Sequence, residues 1–80
     1  MPQRLTIRQT SALRPGDRIV SLGATITYRP ARTVAAALGP IEPGSPVHGV
    51  RLVNPDPDSP LELVLYPAQV DGLALVIERD

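Results

Sequence analysis

Eighty residues with no cysteine, two tyrosines as the only aromatic side chains, and eight basic groups balanced by eight acidic ones describe one small domain and exclude a disulfide framework or a cysteine-based zinc site. A chain of this length buries only about 60% of the surface that its unfolded form exposes, so stability must come from apolar packing, loop rigidity or a partner. The opening stretch MPQRLTIRQ has no apolar leader, and apolar runs such as Val34 to Leu38 are far too short for a bilayer; a cytoplasmic chain without membrane association is expected.

The elements follow in chain order. RLTIRQ alternates, Leu5 and Ile7 on one face against Arg4, Thr6 and Arg8 on the other, as a half-buried strand does. The single domain, 1–80, thus opens with an N-terminal strand or arm over 1–10, and the barrel occupies 13–79. Leu13 is an apolar anchor ahead of the turn Pro15-Gly16-Asp17, which releases a strand carrying Ile19 and Val20. ATITYRP is a second strand. RTVAAAL is a third, because Val34, Ala36 and Leu38 alternate and Gly39-Pro40 ends the run.

VHGVRLVN and LELVLY then form a hairpin around PDPDS, with Val50 and Leu52 inward on one arm and Leu61, Leu63 and Leu65 inward on the other. YPAQ makes a single 3₁₀-like turn, and GLALVIER sends Leu73, Leu75 and Ile77 to the core. Short strands at this spacing predict an all-β fold, a barrel of five to six short antiparallel strands with an extra N-terminal strand. The expected core is Leu13, Ile19 or Val20, Val34, Val50, Leu52, Leu63, Leu65, Leu73, Leu75 and Ile77.

The elements LRPGDRIV, LELVLYPAQ and ALVIE, in that order, resemble the SH3-like small barrels common in actinobacteria and their phages. The resemblance runs from about Leu13 to Glu78. It implies an SH3-like barrel, and that fold serves peptide binding, nucleic-acid binding and assembly alike.

Chemistry-bearing residues are sparse. His48 shares parity with Val50 and Leu52 and lacks a second His or a Cys, so it reads as a partly buried strand-end residue rather than a ligand. Ser11, Ser21, Ser45 and Ser59 sit in turn or strand contexts without an activating motif. Asp56 and Asp58 are flanked by prolines in a stiffened loop. Neither catalysis nor a cofactor or metal is expected. Tyr28 and Tyr66 are too few for a polyproline groove or for a row of base-stacking platforms.

Two surfaces remain. If the inward assignments hold, Val47, Val53, Val64, Tyr66 and Val76 face outward on the last three strands, rimmed by Arg51, Glu62 and Glu78, which makes a candidate protein interface. The alternative is duplex nucleic-acid binding by Arg18, Arg29 and Arg32. It arises because the first forty residues carry six arginines against Asp17 alone, net +5, and the last forty are net −5. The expected partner is a protein or a second copy, as in a dimer. Self-association would use a sheet edge, RLTIRQ, or the valine face; the face is slightly favoured because Arg4 and Arg8 would repel their copies across an edge.

Overall fold

The computed structural model describes residues 2–56, 58 and 62–80. The fold is all-β, with 47% of the described residues in strands and 9% helical. Its strands are β1 (Gln3–Ile7), β2 (Arg18–Leu22), β3 (Ile26–Val34), β4 (Gly39–Pro40), β5 (His48–Val53), β6 (Leu63–Leu65) and β7 (Leu75–Arg79). A 3₁₀ turn at Thr10–Ala12 follows β1, and a one-turn helix, α1 (Pro67–Val70), precedes β7. Every strand pair is antiparallel, in the order β1-β7-β2-β3-β5-β4 with β6 on β5, and the sheet curls into a half-barrel. No described helix is long and apolar enough to cross a membrane.

The Pro-Gly-Asp turn is built as its residues demand. The Asp17 N–H donates to the Arg14 carbonyl at 3.0 Å, Pro15 holds the second position, and Gly16 takes φ +90° at the third, a type II turn that only a residue tolerant of positive φ completes cheaply. Gly16 N–H then donates to the Val34 carbonyl (2.9 Å), and Val34 N–H to the Asp17 carbonyl (2.7 Å). The turn is thereby stitched to the end of β3.

The sheet's inner face carries the core. Leu5, Ile77 and Ile19 lie opposite one another across β1, β7 and β2, and Ile7, Leu75 and Leu22 form the next row. Val34, Leu52 and Leu63 continue the layer across β3, β5 and β6. Leu13, Ile19, Leu22, Val34, Val50, Leu52, Leu65, Val70, Leu75 and Ile77 are buried. Ile19, not Val20, is the inward residue of its pair.

Leu22 escapes an alternation count because Val20 is a bulge: Ile19 pairs Ile77 while Ser21 pairs Val76, so one extra residue resets the parity and turns Leu22 inward. Two expected core residues are exposed instead, Leu63 at 37% and Leu73 at 44%. Leu63 points inward but opens a three-residue strand that has no outer neighbour among the described residues. Leu73 precedes β7 in the turn around Gly72, whose φ is +95°, so strand parity does not reach it. Val70 of α1, which is not among the expected core residues, is buried in the core.

The strand expected over Val34–Leu38 is also corrected. ATITYRP and RTV form one strand, β3, which stops at Val34; Ala35, Ala36 and Ala37 are exposed, and only Leu38 packs against the core. Alanine buries too little apolar surface to hold an inward face. Gly39-Pro40 does not end a strand but forms β4 against His48 and Gly49. Pro30 is accommodated because, between the pairs Ile19–Arg32 and Ser21–Thr27, only Val20 faces Tyr28, Arg29, Pro30 and Ala31. The ladder opens where a residue without an N–H sits. His48 has the expected parity, yet at the strand end it lies beyond the core and is exposed. The assignments for Leu61 and Ser59 fall outside the described residues.

Candidate functional site

On the outer face of β5 and β6 an apolar group forms around a glycine. Gly49 is buried, and a Cβ placed on it would lie 2.7 Å from Val64 Cγ1, 3.2 Å from Ile41 Cγ2 and 3.2 Å from the Leu65 carbonyl oxygen. Its missing side chain lets Val64 of β6 and Ile41 of the β4–β5 loop close over the sheet. The loop is held there by its own bonds: Ile41 N–H donates to the Val47 carbonyl (3.1 Å), Val47 N–H donates to Ser45 Oγ (3.1 Å), and the Arg51 guanidinium donates to the Ile41 carbonyl.

Arg51 faces Val64 across the ladder and reaches Glu62 at 3.5 Å. Val53, half-buried, continues the same face next to Thr33 of β3, and Val47, 45% exposed, lies at its other end. Five of the sequence-selected interface residues, Val47, Val53, Val64, Arg51 and Glu62, therefore share one face.

Val76, Tyr66 and Glu78 do not; Glu78 lies on β7, across from Arg4 of β1 and Arg18 of β2. Val76 sits on β7 between Thr6 of β1 and Ser21 of β2, with β2 and β3 separating it from β5. Tyr66 is the residue ahead of α1, half-buried, its carbonyl accepting from the N–H groups of Gln69 and Val70. The valine row thus divides into a β5–β6 patch and an isolated Val76.

The arginines do not converge either. Arg18 lies opposite Glu78 and Thr33 and binds Asp80 through both terminal nitrogens, at 3.1 and 3.4 Å. Arg32 lies opposite the inward Ile19, on the other side of the sheet, with its guanidinium 5.5 Å from the Tyr28 ring centroid. Arg29 is exposed in the β3 bulge. The opposite charges of the two halves of the chain interleave: Arg4–Glu78, Arg18–Asp80 and Arg79–Asp17 each join one half to the other, while Arg51–Glu62 lies within the second.

Two polar clasps have no counterpart in the sequence reading. Asp17, 2% exposed, accepts from Arg79 Nε (2.9 Å) and Nη2 (2.7 Å) and from the Arg14 N–H (2.9 Å); Arg79 Nη2 also donates to the Ala12 carbonyl (2.9 Å). The Arg79 hydrogen bond holds the Asp17 carboxyl below the usual carboxylate range, against burial, which pushes it up. A hollow of about 210 Å³ lies beside this pair, lined by Arg14, Pro15, Gly16, Asp17, Arg79 and Asp80. In the second clasp, the buried Thr10 donates its N–H (2.8 Å) and hydroxyl (3.0 Å) to Asp71 Oδ1, tying the 3₁₀ turn to the end of α1. The signal for the first was an acid standing alone in an arginine-rich half, directly after a turn.

Among the described residues, no group of three or more His, Cys, Asp or Glu side chains is placed to hold a metal ion. Compared with known proteins, the chain matches no family model, no curated protein and no solved structure.

Proposed function

We propose that the chain is a non-enzymatic interaction module of the SH3-like small-barrel type, and that the outer face of β5 and β6 receives a protein partner. The order β7-β2-β3-β5-β6, with a helical turn between β6 and β7, supports the SH3-like reading, since it is the LRPGD-opened strand, the LELVLY strand, a short turn and a final apolar strand brought into one sheet. The observation that carries the function is the apolar group Ile41, Val47, Val53 and Val64 on the side of the sheet turned away from the core, with the Arg51–Glu62 pair set among them. A sheet face that is merely solvated carries polar residues; short aliphatic side chains interspersed with both charge signs suit a protein surface of the same mixed character.

The test compares partner capture by the wild-type chain, Val47→Glu, Val53→Glu and Ile26→Glu, the last at an equally exposed apolar position elsewhere. Affinity for the recovered protein is then measured by calorimetry. Both valine variants are expected to keep their circular-dichroism spectrum and lose about tenfold or more in affinity, and Ile26→Glu to keep it. A partner held equally by all four chains overturns the reading. So does saturable, salt-sensitive binding of duplex DNA in a low-salt anisotropy titration, which would move the function to the arginines.

A further inference from the structure

The sheet has a second open feature, at the other end of the strand order from β5 and β6. β1 pairs with β7 in unbroken register from Gln3–Arg79 to Ile7–Leu75, and along its other side it pairs with no strand among the described residues. Free edges are normally blunted by shortness, a proline, a bulge, or a charge pointing inward. β4 and β6, the outer strands at the far end of the order, are protected in that way, with two and three residues. β1 has five, contains neither proline nor lysine, shows no bulge, and points Leu5 and Ile7 inward, half-buried against the core. Its only charge is Arg4, and Arg4 is turned onto Glu78 of β7 at 3.4 Å. Of the two arginines that disfavoured edge pairing at the level of sequence, Arg4 is thus answered within each chain, and Arg8 lies beyond the end of β1 and donates to the Gly72 carbonyl (3.3 Å).

We propose that β1 is a self-pairing edge, and that two copies join antiparallel about a two-fold axis at Leu5 to make one continuous sheet. That register is self-complementary. Leu5 faces its own copy, Gln3 faces Ile7, and Arg4 faces Thr6, so no two arginines stand directly opposite. The inner rows Leu5–Ile77–Ile19 and Ile7–Leu75–Leu22 run on into the second copy, covering the two side chains that a single chain leaves half-exposed. The occupant is a second copy rather than a foreign strand because the edge supplies each of these complements itself.

The register dictates the experiment, because Thr6 is exposed in the single chain and comes directly opposite an Arg4 only in the pair. Sedimentation equilibrium of the full chain from low to high micromolar concentration is expected to show a monomer–dimer equilibrium. Thr6→Glu, which sets an acid against each Arg4, tightens it by about fivefold, and Thr6→Arg loosens it by about fivefold. Hydrogen exchange should show β1 amides gaining protection with concentration. A wild-type monomer throughout overturns the proposal, as does a dimer indifferent to both Thr6 variants. A dimer broken by Val53→Glu but not by Thr6→Arg overturns it in favour of the outer face, so this proposal and the partner face fail separately.

Discussion

Asp17 and Arg18 are consecutive, as are Arg79 and Asp80, and they pair crosswise: Asp17 with Arg79, Arg18 with Asp80. The chemistry is the same, two nitrogens on two oxygens in each case. What differs is the side of the sheet. The side chains of Asp17 and Arg79 are 3% and 19% exposed, whereas those of Arg18 and Asp80 are 32% and 79% exposed. Alternation of strand neighbours has put one pair beneath the turn and the other in solvent. A buried pair with every polar atom answered is costly to break, because removing one partner strands the other charge; an exposed pair is screened and contributes little.

The largest expected effect tests the buried side of that contrast. Asp17→Ala removes the acceptor for Arg79 and for the Arg14 N–H together, and is expected to destabilise the fold by about 3 kcal/mol in urea unfolding. Asp17→Asn keeps the shape and loses the charge, so it should fall between wild type and Asp17→Ala. Acid supplies a second measurement. The folded-state Asp17 carboxyl titrates below its unfolded value, so the unfolded chain binds more protons in the interval between the two. Its contribution is whole above the unfolded value, about pH 3.9, and is lost as pH falls through the folded one. Asp80, held low by Arg18, acts in the same direction but in solvent. Added salt should erase its share and leave the Asp17 share in place. An Asp17→Asn chain that keeps the full acid slope at high salt would break the contrast.

The strands themselves were readable because period-two alternation is a strong signal wherever side chains are large: Leu5 and Ile7, Val50 and Leu52, Leu75 and Ile77 all lie on the expected face. Alternation failed where a residue was inserted, at Val20, and where the run was alanine, at 35–37. It also failed at the rims, where Leu63 and Leu73 had the right composition but nothing to cover them. The candidate face was half legible. Parity assigned Val53, Val64, Arg51 and Glu62 to one side, but strand order is a long-range property that alternation does not carry, and β2 and β3 intervene before Val76. Ile41 and Gly49 were invisible for the same reason, since their meeting depends on a loop folding back over β5. The clasp between Asp17 and Arg79 spans 62 residues.

Gly49 gives an intermediate effect and sharpens the comparison by applying it to packing on the outer face. Gly49→Ala puts a methyl group 2.7 Å from Val64 Cγ1, closer than carbon atoms tolerate, and is expected to destabilise by about 1–2 kcal/mol. The Leu65 carbonyl, at 3.2 Å, moves less easily than a side chain. Val64→Ala in the same chain should therefore restore part of the loss, not all of it. The double-mutant cycle reads this as coupling. Additive effects would mean that Val64 does not lean on Gly49, and the outer apolar group would lose its centre.

The smallest expected effect belongs to the exposed pair, and it decides whether burial or geometry governs the contrast. Asp80→Asn removes the charge facing Arg18 while leaving the Arg18 stem in place between Glu78 and Thr33. Arg18 keeps water on a third of its side chain and has Glu78 directly across the ladder, so no charge is stranded. The urea midpoint should stay within error of wild type, and its salt dependence should flatten slightly. If two-point geometry alone set the strength of such pairs, Asp80→Asn and Asp17→Asn would lower the midpoint alike. Equal losses would show that exposure does not separate them, and the ordering of every effect above would have to be redrawn from hydrogen-bond geometry instead.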